Sequence, residues 1–272
     1  MDNRAILEPF DRCFDEVTMS HCVITGAADG IGKALAERFG KANFSVLGID
    51  VDQVQAAKTE SELSQSGGKI SFAIADLSTD AGIEKAMSAV STGPEVDVWI
   101  QNVGINEVEK FSVTELEQQR KVIDINLSAP MVMTARLLHE GMLATEGSMV
   151  FVSSLSCFTG YPGASVYAAT KDGVASYARS VSAGMASSGV HVLTVYPGPT
   201  RTEHARRYSP DNSREGMRMA PEDLADRVFR AVKRRKRFVI PGTANRLMAW
   251  MGLWLPGLTE AMMRRAILDR LP

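Results

Sequence analysis

Short apolar, β-branched runs alternating with longer amphipathic segments predict an α/β fold: one doubly wound parallel sheet of seven strands, with helices on both faces. The alternation holds from the first strand to the last, near residue 240. Runs such as VDVWI and SMVFV are largely apolar, as expected of parallel strands covered on both faces. At 272 residues the chain suits one large unit of this kind better than two small ones.

The predicted strands are His21–Thr25, Ser45–Ile49, Ile70–Ala75, Val96–Gln101, Ser148–Val152, Val190–Tyr196 and Phe238–Ile240. Helices are expected over 30–41, 52–66, 79–91, 113–145, 164–188 and 221–235, joined by right-handed crossovers. No repeat, low-complexity tract or linker interrupts the series. Residues 19–242 are therefore expected to form one domain that contains its own substrate site. Residues 1–18 would be a peripheral N-terminal extension, with Met19 as a second candidate start. Residues 243–272 would be a C-terminal extension rich in Trp, Leu, Met and Arg.

Composition is that of an ordinary soluble protein: 45% hydrophobic, 23% charged, net charge −2. That balance gives no argument for nucleic-acid binding. Cys13, Cys22 and Cys157 lack CxxC spacing and cannot all pair, which fits a reducing cytoplasm. His21, His139, His191 and His204 are scattered, so no metal site is expected. The N-terminus has no secretory signal pattern, and the longest apolar run, Leu247–Leu255, is short of the ~20 residues that span a bilayer.

CVITGAADGIGKALAERFG reads as a strand, a glycine turn and an amphipathic helix. Gly26 would make the tight turn, Gly30 would let backbone approach a phosphate, and Gly32 would allow close helix–strand packing. The helix start at Gly30–Ile31–Gly32 offers free N–H groups to a pyrophosphate. A plain βα turn is the alternative, less favoured after a first strand. Asp50, 24 residues beyond Gly26, stands where a carboxylate would accept from ribose hydroxyls; neighbouring Asp52 better suits a solvated loop. Asp29 and Asp50 would repel a 2′-phosphate, with no Arg or Lys at 29 or 51 to offset them. NAD is thus expected over NADP.

SVYAATKDG places Tyr167 and Lys171 four apart on one helix face. Free Tyr and Lys have pKa values near ~10 and ~10.4, so neither is a ready base at neutral pH. An adjacent ammonium, joined by the nicotinamide's charge, would lower the phenol and fit it for general acid–base work. An isolated pair of this kind is more commonly a surface pair; the surrounding motifs have to decide.

Several landmarks resemble the short-chain dehydrogenase/reductase family in its compact, single-domain, Rossmann-type branch. They are TGAADGIG, ADL at 75–77, QNVG at 101–104, DIN at 124–126, VSS at 152–154, YAATK and YPGPTRT at 196–202. All occur in order between about residues 20 and 241. The resemblance implies a catalytic set of Asn126, Ser154, Tyr167 and Lys171. Lys171 would also bind the nicotinamide ribose, and Asn126 would help hold a proton-relaying water. Ser154, thirteen residues before Tyr167, would bind the substrate oxygen, with Ser153 and Ser156 as competitors. A buried structural amide is the other reading of Asn126.

The resemblance also places Asp76 and Leu77 at the adenine, Asn102 and Gly104 along the cofactor crevice, and Pro197, Gly198, Thr200 and Thr202 near the nicotinamide. Gln101 and Val103 depart from the family's NNAG, and altered packing is expected there. Pro199 is a further departure, expected to stiffen its loop. Residues 155–166 and 200–219 should wall the substrate, with Phe158, Tyr161 and Val166 either lining it or simply packing.

KRRKR at 233–237 reads as a solvated helix end more readily than as an anion site. The tail has three readings: it covers the cleft, packs on another subunit, or rests on a membrane interface, with burial in protein or oligomer the leading expectation. The function expected is NAD(H)-dependent interconversion of a secondary alcohol and a ketone, in a cytoplasmic homodimer or homotetramer. The alternatives are a redox-sensing NAD-binding protein without turnover and a sugar-nucleotide epimerase or dehydratase. The turn's spacing disfavours the epimerase or dehydratase; the complete proton-transfer set disfavours the sensor.

Overall fold

The structure, a computed structural model, describes residues 19–209 and 211–271. Seven strands form one all-parallel sheet in the order β3-β2-β1-β4-β5-β6-β7. They are β1 (His21–Thr25), β2 (Ser45–Asp50), β3 (Lys69–Ile74), β4 (Val96–Gln101), β5 (Leu143–Val152), β6 (His191–Val195) and β7 (Phe238–Val239). Successive side chains feed two cores, one on each face. Cys22, Ile24, Val98, Ile100 and Val150 join α1 (Gly30–Gly40) and α9 (Pro221–Lys233) on one face. Val23, Trp99, Met149 and Phe151 join α3 (Asp80–Ser91), α5 (Ala129–His139) and α7 (Ser165–Gly184) on the other. Burial on both faces is why these strands read as unbroken apolar runs.

α2 (Gln53–Gln65) starts at Asp52, whose side chain accepts from Gln55 N–H at 2.9 Å; this aspartate is a helix cap. α9 rests on α1 through Arg38, whose guanidinium lies 3.7 Å from the Phe229 ring centroid and bonds Asp226 at 3.0 Å. In the basic run, the Arg235 side chain donates to the carbonyls of Glu146 and Gly189, so one of its cations ties down the start of β5 and β6.

The helix expected over 113–145 is divided. α4 (Leu116–Ile123) passes through a π-helical turn, Asp124–Ser128, into α5. The wider turn carries Asn126 inward to complete burial. Residues 143–147 belong to β5, because Leu143 pairs with Val96 across a register irregularity, with Glu146 at φ 59. MLATE has good helix formers, and strand pairing overrides them. Four short or late helices escaped the sequence pattern: α6 (Ser156–Thr159), α8 (Glu203–Tyr208), α10 (Thr243–Trp254) and α11 (Pro256–Ala266). The N-terminal extension expected over 1–18 lies outside the described residues.

Candidate active site

The site lies at the carboxyl ends of β1, β4, β5 and β6, beside the point where strand order reverses between β1 and β4. After β1 the chain turns at Gly26 (φ 66) and Gly30 (φ 54), both in the region only glycine occupies cheaply. A Cβ on Gly32 would overlap the Gly26 carbonyl oxygen, so the first turn of α1 sits directly on the glycine turn. Asp29 precedes α1 without a side-chain cap, which leaves the helix's first N–H groups free for an anion. These features fit a dinucleotide pyrophosphate. Ile31 packs on the core below. At Gly30 the nearest neighbour of an added Cβ is the Thr202 methyl, at 3.1 Å, so that glycine gives room to the 200 loop.

Distant residues lock the turn. Asn102 Nδ2 donates to the carbonyls of Thr25 and Gly26, each at 3.0 Å. Thr25 Oγ1 accepts from the N–H groups of Asn102 and Val103. Asp50 Oδ2 accepts from Ala28 N–H at 2.9 Å and its Oδ1 from Asp52 N–H at 3.1 Å, so it braces the turn from the end of β2. Asp76 Oδ1 accepts from the Ser78 N–H and hydroxyl, which holds its pKa below the usual carboxylate value. Leu77 is buried in the core.

Across the cleft, β5 delivers Ser154 and α7 delivers Tyr167 and Lys171. Lys171 is 4% exposed, and its Nζ donates to the carbonyls of Val152 at 3.2 Å and Val103 at 3.4 Å. A Cβ on Gly104 would lie 2.8 Å from that nitrogen, so the glycine keeps space for the ammonium. Burial without a carboxylate partner lowers Lys171 to about 8. The ammonium lies 5.9 Å from the centroid of the Tyr167 ring. Burial raises the phenol to about 12, only partly opposed by a hydrogen bond with Ser154. The lowering expected from sequence is therefore absent: in the protein alone, desolvation outweighs the Ser154 hydrogen bond.

The serines are sorted by their partners. Ser153 is buried, donates to the Lys171 carbonyl at 2.8 Å and meets Cys157 Sγ at 3.1 Å. Ser156 Oγ is buried without a partner. Ser154 Oγ accepts from Ser156 N–H at 3.1 Å and is the one within hydrogen-bonding reach of Tyr167. Asn126 clamps Ile105 at both backbone groups, accepting from its N–H at 2.8 Å and donating to its carbonyl at 2.9 Å. Its Nδ2 also meets Thr170 Oγ1 at 3.2 Å. That side chain is committed to protein partners.

On the 200 loop, the Pro197 carbonyl accepts from Leu155 N–H at 2.8 Å, Thr200 donates to the Gly198 carbonyl, and Thr202 caps α8 through Ala205 N–H. Beside this site α10 and α11 pack on α6. Tyr161 stands edge-on to Tyr167, with centroids 6.0 Å apart.

Residues 20–213 match the family model of the short chain dehydrogenases. The chain belongs to the short-chain dehydrogenase/reductase family. It is 29% identical over 206 residues to glucose 1-dehydrogenase 2 of Bacillus subtilis, covering 74% of this chain and 80% of that one. It is 30% identical over 218 residues to 1-deoxy-11-beta-hydroxypentalenate dehydrogenase of Streptomyces exfoliatus, covering 77% and 78%. A short-chain dehydrogenase from Sphingobium yanoikuyae, solved with NADPH, superimposes with a TM-score of 0.73 at 25% identity, over 89% of this chain and 96% of that one. The activity of this oxidoreductase family, on CH–OH groups with NAD(P), is thereby the activity class of this member.

This short-chain dehydrogenase/reductase departs from the family's central motif at Gln101, whose Oε1 accepts from Thr25 at 3.2 Å while its buried Nε2 has no partner. Val103 packs against the core, so both departures fall on packing. The Pro199 carbonyl accepts from Met219 N–H at 3.2 Å, which ties the loop to residue 219. Sequence reading missed Asn245, on α10, whose side chain fills the space against Gly198 and donates to the Pro241 carbonyl at 2.6 Å. It also missed Asn106, which is buried and hydrogen-bonds Tyr161. The NVGIN run held a second asparagine four beyond Asn102, the only local signal for it.

Proposed function

We propose that this dehydrogenase interconverts a secondary alcohol and a ketone with NAD(H), using Tyr167 as the proton-transfer group. The observation that carries the reading is the meeting of three side chains at one point: Ser154 hydrogen-bonded to Tyr167, with the Lys171 ammonium held beside the ring by two carbonyls. A bound nicotinamide supplies the hydride acceptor or donor. Ser154 holds the substrate oxygen and stabilises charge that develops on it. Tyr167, protonated at neutral pH with its pKa near 12, is ready to give its proton to a carbonyl oxygen. The Lys171 ammonium favours the phenolate left behind. Asn126 positions the loop at Ile105 beside Gly104 and the lysine.

Gly26, Asp29, Gly30, Ile31, Gly32, Asp50, Asp76, Leu77, Asn102 and Gly104 form the adenosine and pyrophosphate side in this reading; Pro197, Gly198, Thr200 and Thr202 form the nicotinamide side. The preference for NAD rests on Asp29 and Asp50 flanking the turn, with Val51 between Asp50 and the Asp52 cap. Association into a dimer or tetramer through α4, α5 and α7 is supported by partly exposed Ile123, Met131 and Val132. The free thiols Cys22 and Cys157 agree with a cytoplasmic site.

Screening alcohols and ketones by the absorbance of reduced nicotinamide tests the reading. Tyr167→Phe is expected to lower turnover by about 10²–10⁴-fold while sparing NADH binding. A near-wild-type rate in that variant would remove Tyr167 from its role, and a wild-type preference for NADPH would overturn the cofactor reading.

A further inference from the structure

The C-terminal helices have two unlike faces. Inward, a Cβ on Gly252 would overlap the Phe158 carbonyl oxygen, and Ile267 and Leu271 lie against Gly163, so this face walls the substrate side. Outward, Leu247, Trp250, Leu253, Trp254, Leu258 and Met262 are 41% to 70% exposed. Large apolar side chains exposed singly are ordinary, but six on two consecutive helices make a patch that a lone soluble chain seldom leaves open. Two of the three tryptophans are here; the third, Trp99, is fully buried.

Spacing aligns cations with these apolar stripes. Arg246 precedes Trp250 by four residues, and Arg265 follows Met262 by three, so each stripe shares its helix face with a guanidinium. Of the four arginines in residues 243–272, Arg270 is ion-paired with Asp211 and Arg264 stands 4.0 Å from Asp269, which leaves Arg246 and Arg265 against Glu260 on this surface, in a chain whose net charge is −2. Indole and leucine side chains in line with arginine suit the headgroup level of a bilayer, where the rings lodge and the guanidiniums meet lipid phosphates. A second copy of this chain would set the same positive surface against itself.

We propose that the outer face of α10 and α11 docks on an anionic lipid bilayer. The contact is interfacial: the helices have 12 and 11 residues, and among the described residues no helix is long and apolar enough to cross a membrane. Because the inner face walls the substrate side, docking sets the cleft beside the lipid and favours an apolar alcohol or ketone dissolved there. This last step rests on the oxidoreductase reading above.

The test uses the full chain with phosphatidylglycerol and phosphatidylcholine vesicles, read by tryptophan emission and co-sedimentation. Phosphatidylglycerol should bind it and shift the emission to the blue. Trp250→Ala with Trp254→Ala should abolish binding, and Arg246→Gln with Arg265→Gln should weaken it about five-fold per arginine. Retained NADH binding by the variants shows that they fold. Failure of wild type to bind phosphatidylglycerol vesicles overturns the proposal, as does binding that survives loss of both tryptophans. A blue shift produced by protein concentration alone, with an association step in sedimentation that Trp250→Ala with Trp254→Ala removes, overturns it in favour of a second copy. Turnover of a water-soluble ketone, measured separately, keeps the two readings distinguishable: vesicle binding without turnover against any ketone sinks the oxidoreductase reading and leaves docking intact.

Discussion

The glycine turn and the C-terminal helices each have a glycine pressed onto a carbonyl oxygen. Gly32 faces Gly26, six residues away; Gly252 faces Phe158, ninety-four residues away. The first contact is made within one strand–turn–helix unit and is braced by Asn102, Thr25 and Asp50. The second joins α10 to α6 across a long stretch of chain. The difference teaches that the proposed cofactor side is a local device reinforced by the sheet, whereas the proposed substrate side is assembled from remote segments.

Substituting both glycines probes that contrast most severely. Gly32→Ala is expected to cost about 3 kcal/mol and to abolish NADH binding, because the overlapped atom is backbone held on several sides. Gly252→Ala should cost about 1–3 kcal/mol, leave NADH affinity near wild type and raise KM for the alcohol or ketone. Thermal melts with NADH titrations read both. Equal loss of NADH affinity in the two variants would break the division into two sides.

Lys171 sharpens it through pH. Its folded value, about 8, lies below the ordinary 10.5, so below pH 8 the folded state carries the full penalty of a buried charge. The penalty fades as pH rises from about 8 to 10.5. Wild type should therefore gain about 3 kcal/mol relative to Lys171→Met across that window. Tyr167 trends oppositely, but only above pH 10 and in both proteins. Urea unfolding at pH 7.5 and 10 measures the difference, and a flat difference would show that the ammonium is not buried as described.

Two smaller effects belong to the cofactor side. Asn102→Ala removes donors from the Thr25 and Gly26 carbonyls and should cost about 1–3 kcal/mol, with weaker NADH binding measured by titration. Asp50→Ala should narrow the NAD over NADP preference about tenfold, the worth of one charge-assisted hydrogen bond, read as a ratio of kcat/KM values.

Much of the fold was legible because its signals are local. β1 and β4 fall where the apolar runs end, and the glycine turn carries its own backbone requirement at Gly26 and Gly30. Tyr167, Lys171 and Ser154 were legible by motif, and the structure brings all three together. The π turn around Asn126 was not, since composition does not encode one extra residue in a helical turn. Nor were α6, α10 and α11, whose inner faces exist only against one another.

By itself, then, the sequence determined the alternating strands and helices, the glycine turn and the spacing of the Tyr–Lys pair, because periodicity and backbone sterics act over a few residues. Only the tertiary structure decided that Tyr167 stands at about 12 and Lys171 at about 8, that Asn126 grips Ile105, and that the tail packs on α6 with Trp250 and Trp254 exposed. Desolvation and remote packing are properties of the assembled molecule, and no short stretch of chain carries them.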